Sequence, residues 1–203
     1  MTKNKVTKDT IQRIKEGLNP YKDILIFMVT LLVANYFWKF TVMGDEDGVQ
    51  EMVTWFGLDI TAPFSWMSRH IAARVYWLVS LVNDSVIMRG DHVVGFPNGH
   101  GSSIVWGCSG LKQLFIWLCL MLTVRGGWKH KLWFIPLGAI VCHGFNILRI
   151  ALITLFLENH PDWFPVLHDY IFKYLFYGLM FLMWVWFVEG IRGPQRQSAQ
   201  KSQ

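Results

Sequence analysis

The chain has 203 residues, of which 53% are apolar and only 16% charged, with a mean hydropathy of +0.30. A soluble domain carries about 25% charged residues, so the deficit points to lipid as the solvent and excludes a disordered chain. Three cysteines, Cys108, Cys119 and Cys142, are too few for a disulfide-stapled secreted mini-protein, and the net charge of +5 sits at the termini and in one short loop, which suits anionic lipid and membrane topology better than nucleic acid.

Residues 1–22 are polar and basic, with Lys3, Lys5, Lys8, Arg13, Lys15 and Lys22. Ile11, Ile14 and Leu18 form a weak amphipathic stripe that closes at Asn19-Pro20, as in a short helix on the membrane surface. The apolar run 24–43 follows, and crossing a bilayer core takes about 20 such residues. Next come Asp45, Glu46, Asp47, Glu51 and Asp59, with no Lys or Arg before Arg69. Basic residues precede this span and none follows it closely, so the positive-inside rule puts the N-terminus in the cytoplasm.

Residues 66–84 are interrupted by Arg69, His70 and Arg74 and predict an amphipathic helix at the outer face rather than a crossing. In 85–107, short β-type runs alternate with Gly, Pro and Asn, the pattern of small hairpins outside the bilayer. A second span is predicted over 109–124, ending at the basic loop 125–131. A third covers 132–157, residues 158–168 form a short polar loop, and a fourth span covers 169–188. The expected architecture is an all-α integral membrane protein with four to five transmembrane helices and a small extracytoplasmic β-hairpin segment before the catalytic helix. Its units are a cytoplasmic amphipathic N-terminus (1–22), a multi-pass membrane domain (23–190) and a disordered cytoplasmic tail (191–203).

With the 125–131 loop and the tail inside, Cys108 falls at the outer end of the second span and His168 at the outer end of the fourth. Arg149, roughly 25 Å into the third span at 1.5 Å per residue, lies in its outer half. Charge counting and helix rise thus bring three polar residues to one leaflet.

Cys108 opens Cys108-Ser109-Gly110-Leu111-Lys112. A thiol at a helix start feels the positive end of the macrodipole, and Lys112 one turn on would lower its pKa further. Gly110 lets another backbone approach. Arg149 within a span costs several kcal/mol on insertion, so it is a functional candidate by default. Asn146, one turn earlier, shares its face. Histidine is the side-chain type suited to proton transfer near neutrality, which makes His168 a candidate, and Asp169 beside it could pair with Lys173. Cys119 and Cys142 lie mid-span in apolar runs and are expected to be core. His92, His100 and Cys108 recur at even spacing but carry no His-Glu-x-x-His or Cys-x-x-Cys pattern, and no phosphate loop or dinucleotide fingerprint is present. No metal or cofactor is expected.

Trp106-Gly-Cys108-Ser-Gly-Leu-Lys112 before a hydrophobic helix, then Asn146-Ile-Leu-Arg149-Ile-Ala-Leu, then His168-Asp169-Tyr-Ile-Phe before a last span, resemble the exosortase/archaeosortase family. The resemblance covers roughly residues 85–188, with the three motifs in family order, and the short chain looks more like the compact exosortases of Gram-negative bacteria than like the larger members. It implies a multi-pass transpeptidase acting on exported proteins that end in a short motif, a transmembrane helix and a basic tail. By that resemblance Cys108 would be the nucleophile, with Arg149 and His168 completing the site and Lys112, Asn146 and Gly110 supporting it. Cleavage would pass through a thioester at the outer leaflet of the bacterial inner membrane, with either Arg149 or His168 serving the oxyanion. The rival reading is a non-enzymatic transporter or polysaccharide-export component, in which Arg149 pairs with a transported substrate.

Overall fold

A computed structural model describes residues 22–44, 52–124 and 127–191. The amphipathic stripe expected before Lys22 and the tail expected after Ile191 lie outside the described residues.

Helix α1 (Lys22–Thr41) is apolar nearly all round and buries only Phe27, Ala34 and Trp38. Leu25, Val29, Leu32, Val33 and Phe40 remain exposed, as a lipid-facing helix requires. A small antiparallel sheet follows, made of β1 (Val42–Met43), β2 (Thr54–Trp55) and β3 (Leu58–Asp59). Sequence reasoning left this acidic stretch without elements. Its β2–β3 turn places Phe56 and Gly57 at positive φ.

Helix α2 (Thr61–Ser80) begins where Asp59 Oδ1 accepts hydrogen bonds from the Thr61 backbone N–H (2.9 Å) and hydroxyl (2.5 Å). Those bonds lower the Asp59 pKa. Phe64, Ser68, Ile71, Ala72, Val75 and Val79 form its buried stripe, the i, i+3, i+4 pattern of an amphipathic helix. It starts before residue 66 because Pro63 is compatible with a first helical turn.

The expected hairpins form a three-stranded antiparallel meander of β4 (Ile87–Arg89), β5 (Val93–Gly95) and β6 (Gly101–Ser103). A Cβ on Gly101 would lie 2.4 Å from Gly95 Cα, so these two strands meet at glycines. One face of the meander packs on α2 through Val86, Val94, Phe96 and Ile104.

Helix α3 (Leu111–Thr123) has 13 residues, fewer than the 109–124 span expected. At 1.5 Å per residue it is about 20 Å long, short of the roughly 30 Å hydrocarbon core. Gly110 at φ +76° sets its start and extended Val124 its end. Helix α4 (Trp128–Leu157) has 30 residues and begins earlier than the predicted third span. Lys131 is buried there and donates to the Leu122 carbonyl at 3.1 Å, which draws the end of α3 against the start of α4.

The loop expected over 158–168 is mostly helical instead. A short turn at Glu158–His160 leads into a 3-10 turn (Pro161–Trp163), a π-helical segment (Val166–Ile171), helix α5 (Phe172–Trp186) and a second π-helical segment (Phe187–Ile191). Three described helical runs are long and apolar enough to cross a membrane: Lys22–Thr41, Trp128–Leu157 and Pro161–Gly190. Length and hydropathy thus agree with an integral membrane protein, α3 adding a fourth, shorter apolar helix.

Two larger cores hold these elements, beside a smaller buried cluster of Trp38, Val42, Val53, Phe64 and Trp106. In one, α1, α3, α4 and α5 meet around Phe27, Trp117, Phe134, Met180 and Trp184. The Trp117 indole donates to the Ile135 carbonyl at 3.1 Å and lies where a Cβ on Gly138 would sit, 2.1 Å from Trp117 Cζ2. In the other, α2 and the meander pack on the second half of α4 through Ile71, Val75, Ile150 and Ala151. The meander also grips the end of α4. Thr154 donates to Ser102 (2.9 Å), Asn98 donates to the Glu158 carbonyl (3.0 Å), and Asn83 donates to the Glu158 carboxylate (2.7 Å). On α4 polar Asn146, Arg149 and Thr154 are buried while Ile140, Leu148 and Leu152 are exposed, as on a helix with one face toward lipid.

Candidate active site

Cys108 does not sit in the first turn of α3. It belongs to a separate 3-10 turn, Trp106–Ser109, and its backbone N–H donates to the Val105 carbonyl at 2.9 Å. The left-handed Gly110 divides this turn from α3. A Cβ at Gly110 would lie 3.0 Å from Asn146 Nδ2, so the glycine is required by conformation and by packing together. Asn146, fully buried on α4, donates from Nδ2 to the Cys108 carbonyl at 2.9 Å. The turn carrying the thiol is therefore bolted to the helix that carries Arg149.

Arg149 lies two turns before the end of α4 and is 5% exposed. Its guanidinium carbon stands 5.9 Å from the Phe176 ring centroid, a cation–π distance, and Phe176 is held edge-on by Phe145. His168 is placed by the π-helical segment, whose wider turn is a frequent feature of functional sites. Its ring stacks on Phe164 at 5.2 Å, and Nδ1 meets Asp169 Oδ1 at 2.9 Å. Asp169 thus pairs with His168 and not with Lys173, the partner its spacing suggested. With Nδ1–H donated to that carboxylate, the Nε2 lone pair is left to accept a proton.

Cys108, Lys112, Arg149 and His168 line one cavity of about 380 Å³, together with Gln113, Asp169, Lys173 and Tyr177. Gly110 and Asn146 stand behind it and fix the Cys108 turn. Lys112, Arg149 and Lys173 against Asp169 leave the wall positively charged, the sign that stabilises an oxyanion or a thiolate. The thiol itself departs from expectation. Burial pushes the Cys108 pKa above the ordinary cysteine range, and the opposing pull of Arg149 and of the Val105 contact does not cancel it. Desolvation outweighs the favourable influences, so a position just ahead of the helix does not leave the thiol acidic. Arg149, brought in from another helix, is a cation that acts on the thiol.

Sequence reasoning missed Gln113 and Tyr177. Tyr177 could have been found, since Asp169, Lys173 and Tyr177 recur every four residues and share one helix face. Gln113 had no signal beyond adjacency to Lys112. Cys142 is buried in the four-helix core and Cys119 packs against it. His92 pairs with Asp91, while His100 bonds the Glu158 carbonyl. Among the described residues no three His, Cys, Asp or Glu side chains gather as a metal site would need.

Neither a curated protein nor a solved structure matches the chain. Residues 49–190, more than two thirds of it, match the family model described as transmembrane exosortase. That stretch contains the Cys108 turn, Arg149, the His168 segment and every helix that packs around them except α1. The chain belongs to the transmembrane exosortase family.

Proposed function

We propose that the protein is a cysteine-dependent transpeptidase of the bacterial cytoplasmic membrane. On this reading it cleaves C-terminal sorting signals, each a short motif followed by a transmembrane helix and a basic tail, from exported proteins. Family membership supports a transpeptidase-like role in general. The observation that carries the finer reading is the opening of Cys108, Arg149 and His168 into a single cavity.

The chemistry follows from the side chains. A buried neutral thiol needs a base at the moment of attack, and His168, its Nδ1 occupied by Asp169, offers Nε2 for that proton. The Sγ–C bond forms as the Sγ proton moves to His168. Arg149 holds the oxygen on which charge develops, a fixed cation in a desolvated site. The C–N bond then breaks, His168 returns the proton to the departing amine, and a thioester to Cys108 remains. An acceptor amine or hydroxyl attacks the thioester, gives its proton to His168 and restores Cys108; water in that place yields hydrolysis. Because substrate helix and enzyme share the bilayer, binding is confined to two dimensions, which raises effective concentration and limits orientation. Both termini are assigned to the cytoplasm and the cavity to the opposite face.

The test is processing of a reporter ending in such a motif, helix and Arg-rich tail. Cys108→Ala should abolish processing while the protein still inserts and elutes as a single species. Cys119→Ala and Cys142→Ala should keep most of the activity. Near wild-type processing by Cys108→Ala would remove the nucleophile assignment.

A further inference from the structure

The β2–β3 hairpin holds a conformation that one of its residues disfavours. Phe56 and Gly57 form its two-residue turn, and both have positive φ, +49° and +80°. Glycine adopts that region freely, whereas Phe56 is strained there, and such strain persists where surroundings or function hold it. Asn or Gly would serve the turn better. Instead a large apolar side chain stands at the tip. Phe56 is 69% exposed and Leu58 68%, and Trp55, the cross-strand partner of Leu58, is exposed beside them. Three large apolar side chains thus fall within four consecutive residues on the protein surface.

The hairpin folds back along α1. Trp55 donates from Nε1 to Thr41 Oγ1 at 3.2 Å, which ties the hairpin to the last residue of that helix. The Phe56 ring centroid then lies 6.3 Å from that of Phe37. Phe37 precedes Thr41 by four residues, so Phe56 reaches about 6 Å, one turn, inside the end of a helix long and apolar enough to cross a membrane. Phe37 and Phe40 are exposed there on α1. Phe56 therefore extends the lipid-facing surface of α1 and does not start a separate patch. The base of the hairpin is hydrogen-bonded: the Val53 N–H donates to Thr61 Oγ1 at 3.0 Å, and the Ile60 N–H donates to the Val53 carbonyl at 2.9 Å. An open sheet edge cannot enter hydrocarbon, but apolar side chains at a tip can do so while the backbone stays at headgroup level.

We propose that the β2–β3 hairpin is a lipid anchor: Phe56, flanked by Trp55 and Leu58, lies among the acyl chains of the leaflet in which α1 ends, at the depth of Phe37. The anchor requires nothing of the chemistry assigned to Cys108. It lies at the same end of the helices as that site, since Val42 of β1 and Val53 just before β2 share a buried cluster with Trp106, the first residue of the Cys108 turn.

The test introduces one 4-trifluoromethylphenylalanine at position 56 of the full-length protein in phosphatidylcholine nanodiscs and reads its fluorine relaxation. Dissolved oxygen, which concentrates in hydrocarbon, and a water-soluble nickel chelate are added separately. The same probe replacing Ile140, exposed on α4, calibrates lipid, and replacing Asp84, exposed between α2 and β4, calibrates water. At position 56 the ratio of oxygen to nickel enhancement should match that at 140 and exceed that at 84 several-fold. A second protein with the probe at position 58 covers a disturbance of the turn by the probe at 56, and the lipid ratio at either position upholds the anchor. If neither position gives the lipid ratio, the anchor is overturned. The water ratio would mean a tip in solution, and weak enhancement by both agents would mean a tip covered by protein, a second copy of the chain included.

Discussion

Gly110→Ala is the substitution that most directly tests how the Cys108 turn is held. The alanine must adopt φ +76°, which costs about 1–2 kcal/mol for a residue bearing a Cβ. Its Cβ would also stand 3.0 Å from Asn146 Nδ2 and 3.3 Å from Asn146 Cγ, so the amide must retreat by a few tenths of an ångström. That retreat stretches the 2.9 Å bond from Asn146 to the Cys108 carbonyl, which is worth about 0.5–1.5 kcal/mol. The two contributions together predict a loss of about 1.5–3.5 kcal/mol. They are separable by a double-mutant cycle. In an Asn146→Ala background the clash disappears, and Gly110→Ala should cost only the backbone strain. Stability would be followed by thermal unfolding in detergent, and the position of the thiol by its alkylation rate. Gly178→Ala serves as the control, since a Cβ there meets nothing within 4 Å and a helical Gly-to-Ala change stabilises by up to about 1 kcal/mol. Equal costs of Gly110→Ala in both backgrounds would refute the idea that Asn146 and Gly110 form one clamp, and no cost at all would refute the left-handed geometry.

Three further outcomes are expected. Because burial raises the Cys108 pKa, its thiolate fraction at neutral pH is below that of free cysteine, so its alkylation rate should still be climbing above about pH 10, where a free thiol levels off; Arg149→Leu removes a charge favouring thiolate and should move the midpoint higher still, whereas a plateau below pH 8 would contradict the burial argument. Gly138→Val should destabilise by about 1–3 kcal/mol or more, read as a fall in Tm, since even a Cβ there would overlap the Trp117 indole and break its bond to Ile135; an unchanged Tm would mean that α3 and α4 do not pack this way. In sealed, oriented vesicles an impermeant thiol reagent should reach Cys108 from the periplasmic side and not the cytoplasmic one, and faster labelling from the cytoplasmic face would overturn the assigned orientation.

Some of this protein was legible in its residues one after another. Hydropathy marked the membrane helices because a bilayer demands about 20 apolar residues in a row, whatever they later touch. The i, i+3, i+4 stripe of α2 and the Gly-punctuated strands of the meander were legible for the same reason: periodicity and turn chemistry act over a few residues. The motifs around Cys108, Arg149 and His168 carried the family. Other features depend on what comes to lie beside what. The helical path through Pro161–Ile171 was hidden because Pro161, Asp162 and Pro165 resemble loop, yet Pro is tolerated near a helix start and Phe164 stacks on His168 only once that path is wound. Lys112 adjoins the thiol in sequence, but that Arg149, on another helix, also acts on it could not be read there. The thiol's raised pKa and the clamp of Asn146 on Gly110 likewise arise from packing between helices. Local sequence sets which segments enter the bilayer and how they wind, because those terms are short-ranged; burial, and with it the chemistry of Cys108, exists only when distant segments have displaced water from one another.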